Sequence, residues 1–179
     1  MPTLKLVIDA SVACAAGTAE HPTSKATRDF LRAVREICHQ VVMTPEIAEE
    51  WKQHRSQSFA RQWQVAMVAQ KKLVYLGQVR NDVLRQRISR SARTSKRRGA
   101  MERDAPLIEA ALATDRVVVS LDREARELYN LLAVDWGPLR SVLWLQPDDN
   151  PEEVLEWVRR GAKRAKKKWL LGAQSSAAE

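Results

Sequence analysis

Residues 117–122 read VVVSLD and residues 4–9 read LKLVID. Each is a short, β-branched, almost wholly apolar run that stops on an aspartate. An amphipathic strand would alternate polar and apolar residues. A continuous apolar run is what a strand covered on both faces requires. Working outward from these two runs, the chain alternates short β-rich stretches with longer helical ones. That order predicts an α/β fold: a three-layer α/β/α sandwich around a mainly parallel sheet.

The remaining elements follow from periodicity and end signals. A short helical piece covers Ser11 to Ala16. Pro22 and Thr23 open a helix whose inner face is Ala26, Phe30, Val34 and Ile37. Val41 to Met43 is a second strand. Thr44 is an N-cap with Pro45 at the first helical position, and one helix then runs to about Lys71, bringing together Ile47, Trp51, Phe59, Trp63 and Met67. Leu73 to Leu76 reads as a short extra strand, 79–92 as a basic helix, and SARTSKRRG (91–99) as a mobile loop. Asp104 is expected to cap a nearly all-apolar helix from Ala105 to Ala113, with Pro106 in its first turn. Strand Val117–Leu121, a helix over 123–133 and a last strand Val142–Leu145 complete the sheet. Pro151 opens a basic amphipathic helix over about 151–170, with Val154, Val158, Ala162, Ala165 and Trp169 on one side. Residues 1–171 form one domain on this reading, and 172–179 a disordered tail.

Composition narrows the function classes. The chain has 179 residues, 45% hydrophobic and 29% charged, enough for a core without staples. No apolar run approaches the roughly 18 residues of a membrane span. The first residues do not read as a secretory signal. Cys14 and Cys38 match no zinc spacing and sit in apolar-periodic stretches, so buried thiols in a reduced, cytoplasmic protein are expected. His21, His39 and His54 show no ligand spacing and are expected on the surface or on helices. Six tryptophans suit core packing. The formal charge is +8, and its placement is informative. Residues 80–103 hold nine Arg or Lys against two acids, and residues 159–168 hold seven and no acid. Such a field favours polyanions. No phosphate-binding glycine loop or dinucleotide fingerprint competes for that role.

Topology then sorts the acids. Ligands of open parallel sheets bind beyond the carboxyl ends of the strands. Asp9 and Asp122 directly follow buried strands. Asp104 opens the helix that leads into strand 117–121, and Glu50 lies in the second turn of the helix after strand 41–43. All four should meet at one edge, with Glu46 and Glu49 as alternatives to Glu50. Converging carboxylates repel unless a cation joins them. Oxygen-only ligands suit Mg²⁺ or Mn²⁺. An acidic pocket inside a basic protein is the arrangement expected for metal-assisted phosphodiester hydrolysis. Ser11 and Ser120 are placed to hydrogen-bond these carboxylates or a water, and Glu124 is a candidate outer ligand. Arg93, Lys96, Arg97, Arg98 and Arg103 are candidate phosphate contacts.

Four segments resemble the motifs of PIN domains, in the order in which the family has them. LVIDASV carries Asp9 and Ser11; VVMTPEIAEEW carries Glu50 before Trp51; ERDAPLIEAAL carries Asp104; VVVSLDRE carries Ser120 and Asp122. The resemblance spans most of residues 4–128. It implies an Mg²⁺- or Mn²⁺-dependent endoribonuclease with Asp9, Glu50, Asp104 and Asp122 as catalytic metal ligands. It also implies RNA as substrate and, for VapC-like members, a toxin with an antitoxin partner and a homodimer. The alternative is an inactive PIN-like module that binds RNA or a partner. An aspartate-nucleophile phosphatase is disfavoured, because position 11 is serine where a second acid is needed.

Overall fold

The computed structural model describes residues 4–54, 58–162 and 166–173. In chain order the elements are β1 (Lys5–Ile8), α1 (Ala10–Ala15), α2 (Pro22–Glu36), β2 (Gln40–Met43), α3 (Pro45–His54), α4 (Ser58–Ala69), β3 (Leu73–Tyr75), α5 (Asp82–Ser91), α6 (Ser95–Leu112), β4 (Val117–Val119), α7 (Arg123–Asp135), β5 (Leu143–Leu145) and α8 (Pro151–Arg159). Short 3-10 turns cover Gly137–Ser141 and Lys167–Trp169.

The five strands form one sheet in the order β3-β2-β1-β4-β5, every pair parallel. Leu6 sits at the centre, in register with Val41 on one side and Val117 on the other. Successive strand residues point to opposite faces. Leu6, Val7 and Ile8 are nevertheless all buried, as are Val117, Val118 and Val119. Both faces of the sheet are therefore covered by helices, giving the α/β/α layering expected. Each fully buried Val or Leu contributes roughly 1.5–3 kcal/mol. The three-residue run VVV is thus enough to hold β4 inside the sheet, between β1 and β5.

Several expectations are corrected. The single helix from Pro45 to about Lys71 is two helices, α3 and α4, and residues 55–57 between them lie outside the described residues. The indoles of Trp51 and Trp63 stack with centroids 5.7 Å apart. Along one straight helix those positions would be separated by about 18 Å. The packing of two large aromatic rings against each other outweighs continuous helical periodicity. Trp51 Nε1 also donates to the Ile8 carbonyl (2.8 Å) and Trp63 Nε1 to that of Leu31 (2.6 Å).

The basic C-terminal helix ends at Arg159 rather than near 170. Gly161 (φ 77°) and Ala162 (φ 55°) adopt left-handed conformations that terminate it. Further on, Leu170 forms an antiparallel bridge to Leu143 of β5, and Leu171 N–H donates to the Val142 carbonyl (2.9 Å). Ala165, expected on this helix, lies outside the described residues, as does 174–179 of the expected tail. Cys14 and Cys38 are exposed, not buried. On α1 the core takes Ala10, Val12 and Ala13, which turns Cys14 outward, and Cys38 falls in the turn after α2. Five of the six tryptophans are core residues, and Trp136 is partly buried. No described helix is long and apolar enough to cross a membrane.

The stretch read as a mobile loop is helical. Thr94 caps α6 by accepting from Arg97 N–H (3.2 Å), and the helix continues unbroken through Asp104 and Pro106. Lys, Arg, Ala, Met and Glu between 96 and 103 are all good helix formers. A proline inside a helix costs about 3 kcal/mol, because it leaves the carbonyl four residues earlier without a donor. Here that carbonyl belongs to Glu102, and Arg85 Nη1 of α5 donates to it (3.3 Å). A neighbouring helix supplies the bond that Pro106 lacks.

Candidate carboxylate site at the carboxyl edge of the sheet

Asp9 emerges from the end of β1 and is 5% exposed. Its backbone N–H continues the ladder to the Val119 carbonyl (2.9 Å), which holds it level with the end of β4. One carboxylate oxygen, Oδ2, accepts from two hydroxyls, Ser120 Oγ (2.7 Å) and Ser11 Oγ. Each serine in turn accepts a backbone N–H from the segment after β4: Leu121 to Ser11 (3.2 Å) and Asp122 to Ser120 (3.1 Å). The two hydroxyls thus tie the Asp9 carboxylate to the backbone that carries Asp122.

Asp122 is the N-cap of α7, its Oδ1 accepting from Ala125 N–H (2.8 Å), and it is exposed. One oxygen serves the cap, which leaves the other free for a second role. Asp104 was expected at a helix start; it lies in the interior of α6, half-buried. Glu50 is on the exposed side of α3, next to Trp51, whose indole is fixed to the end of β1.

The electrostatics join these four residues. Burial first, and then the negative charges of Asp122, Asp9 and Glu50, in that order, together raise the Asp104 carboxyl from its ordinary 3.8 to about 7. Arg103 opposes the shift. Three acids distant in sequence therefore act on Asp104 at Coulombic range, and Glu50 is the α3 carboxylate that it feels. Glu49 instead faces Lys52 (3.8 Å) and Gln53 (3.5 Å) on its own helix, and Glu46 is exposed in the first turn. Glu124 is exposed in the first turn of α7.

The donor set is anionic and all-oxygen, which fits a hard divalent cation in charge and type. The side chains do not form a closed ligand shell as they stand. Among the described residues no group of three or more His, Cys, Asp or Glu side chains is gathered closely enough to hold a metal ion.

Arg93, Lys96, Arg97, Arg98 and Arg103 are all exposed, and the last four project from the first half of α6. Arg93 and Arg97 edge a groove of about 400 Å³ whose floor is Met101, Leu128 and Leu132. Of the five, Arg103 is the one within electrostatic reach of Asp104.

Two features escaped the sequence reading. His39, expected on the surface or on a helix, is fully buried between α2 and β2: Leu4 N–H donates to its Nδ1 (3.2 Å), and its Nε2 pairs with the Val158 carbonyl (3.1 Å). Glu109, inside the apolar run LIEAAL, is 3% exposed and grips Arg85 through two hydrogen bonds of 2.8 Å. A lone acid in such a run signals a buried ion pair. No family model and no curated protein matches the chain.

Proposed function

We propose that this protein is a PIN-like, metal-dependent endoribonuclease that hydrolyses RNA phosphodiester bonds. The observation that carries this reading is the raised Asp104 carboxyl, pushed to about 7 with Asp122, Asp9 and Glu50 all contributing, in a chain of net charge +8. A concentration of negative charge in a basic protein is a cost unless a cation uses it.

Asp9, Asp104, Asp122 and Glu50 would hold Mg²⁺ or Mn²⁺. When bound, such a cation polarises a phosphoryl oxygen and acidifies a water for attack on phosphorus. The chain's own residues do the rest. Ser11 and Ser120 fix one Asp9 oxygen and leave Oδ1 for the cation. Asp104, its carboxyl raised to about 7, would hold the cation in its ionised form. Arg103 and the cationic first half of α6 would contact the RNA backbone. A role as a toxin in the cytoplasm, a protein antitoxin that covers the carboxylates, and a homodimer are extensions of the same resemblance.

One observation favours a second reading, an inactive module that binds RNA or a protein partner: among the described residues no three donors are gathered as they stand. Incubating purified protein with single-stranded RNA and Mn²⁺ or Mg²⁺ separates the two. Cleavage that disappears in Asp9→Asn, with the fold retained by circular dichroism, supports the nuclease. Equal cleavage by that variant refutes the site. Salt-sensitive RNA binding without cleavage in either metal selects the second reading.

A further inference from the structure

Pro106 lies two residues beyond Asp104 and lacks the N–H that the Glu102 carbonyl would otherwise accept. The turn of α6 that carries the candidate ligand is therefore the one least able to hold itself. Two side chains from other helices close on it. Arg85 of α5 donates through Nη1 to the Glu102 carbonyl, and Tyr129 of α7 donates through Oη to the Met101 carbonyl (2.7 Å). Arg85 is itself fixed. Nε and Nη2 engage both oxygens of the buried Glu109 carboxylate at 2.8 Å, and Glu109 Oε1 also accepts Asn81 N–H (3.0 Å) at the cap of α5. One guanidinium thus serves an ion pair and an orphan carbonyl at once. A planar fork can hold the bidentate pair and reach the carbonyl together, and a lysine ammonium, a point donor, does not reproduce that bidentate geometry.

We infer that Arg85 is a positioning residue for Asp104: it replaces the backbone bond that Pro106 removes and so sets where the Asp104 carboxylate stands. Asp104 is the functional group and Arg85 acts through it, so this inference rests on the nuclease reading above. The Arg85–Glu109 pair lies outside the set of four carboxylates and reaches Asp104 along α6.

The test uses the full chain with Arg85→Lys, the double variant Arg85→Met with Glu109→Gln, and that double variant carrying Pro106→Ala. Arg85→Lys keeps the charge opposite Glu109, so it remains folded if the double variant does not. Supporting contacts behind a metal ligand are worth 10- to 100-fold in metal affinity or activity. Mn²⁺ affinity by calorimetry should fall about tenfold in Arg85→Lys, and kcat should fall with KM for RNA unchanged. Adding Pro106→Ala to the double variant restores an N–H for the Glu102 carbonyl and should recover most of the Mn²⁺ affinity. Unchanged affinity in Arg85→Lys, or no recovery with Pro106→Ala, overturns the inference.

Amide hydrogen exchange over 103–107 keeps the test independent of the nuclease reading. If the wild type neither binds Mn²⁺ nor cuts RNA, that reading fails. Faster exchange in Arg85→Lys and in the double variant, slowed again when the double variant carries Pro106→Ala, still upholds the brace. Exchange indifferent to Arg85 rules it out.

Discussion

Ser120 Oγ donates a 2.7 Å hydrogen bond to Asp9 Oδ2, linking the carboxyl ends of two neighbouring parallel strands through side chains. The same oxygen accepts from Ser11, so Asp9 is held from both sides. Ser120→Ala removes one hydroxyl from a buried carboxylate and leaves the Asp122 N–H without its acceptor. Hydrogen bonds to a charged group contribute roughly 1.5–3 kcal/mol each. The variant should lose stability on that order, measured by urea denaturation, and its metal-dependent cleavage should drop by about tenfold or more. Ser120→Thr, which keeps the hydroxyl, should retain most of both. Equal losses in the two variants would assign the effect to packing.

Asp104 gives a pH dependence with a definite sign. Its folded value, about 7, lies above the 3.8 of the free side chain. Between those values the folded state binds more protons than the unfolded one, so this residue's contribution to stability falls as pH rises through that window. Above about pH 7 the ionised carboxylate costs the fold a few kcal/mol. Asp104→Asn should therefore raise Tm at pH 8 and change it little at pH 4. Mn²⁺ should raise the Tm of the wild type at pH 8 much more than that of the variant. Thermal melts at the two pH values, with and without the ion, check both statements.

His39 acts in the opposite direction. Burial lowers its pKa, Lys72 adds to the lowering, and the bond to the Val158 carbonyl opposes it. The neutral ring is the folded form, since Nδ1 must accept from Leu4 while Nε2 donates to Val158. As pH falls below 6.5 the unfolded state takes up a proton that the folded state resists, and stability is lost through that range. Asp104 gains stability over part of the same window, so the wild-type curve is a sum of two opposed slopes. His39→Gln, an uncharged donor and acceptor, should steepen the gain on acidification below pH 6.5. A curve that superimposes on the wild type's would remove His39 from the account.

How much of this was legible in the sequence depends on how local each cause is. The strands were readable because LVI and VVV carry their burial in their own composition. Asp9, Asp122 and Glu50 were placeable because each follows directly on such a strand or on the helix after one. Asp104 comes within electrostatic reach of the other three from inside α6, which its own neighbours do not show. Pro106 looks like a helix start, and only Arg85 and Tyr129, donating from other helices to the carbonyls of Glu102 and Met101, let the helix run through it. His39 and the break between Trp51 and Trp63 have the same origin. Partners 119 and 12 residues away decide them, and no window of neighbouring residues contains that information.

The cationic half of α6 yields the last prediction. Lys96, Arg97 and Arg98 are exposed in its first turns, and no described salt bridge involves any of them. Phosphate contacts release counterions, and for a single strand each adds roughly 0.7 to the slope of log affinity against log salt. Changing all three to Gln should weaken RNA binding and flatten that slope by about two, if each meets a phosphate. Fluorescence anisotropy across a salt series measures it. The same substitutions should leave Mn²⁺ affinity unchanged, because Arg103, the cation nearest Asp104 in electrostatic effect, is retained. An unaltered slope would move the RNA path off α6 and toward the second basic segment, where Lys166 and Lys168 already pair with Glu153 and lie over the Trp169 ring.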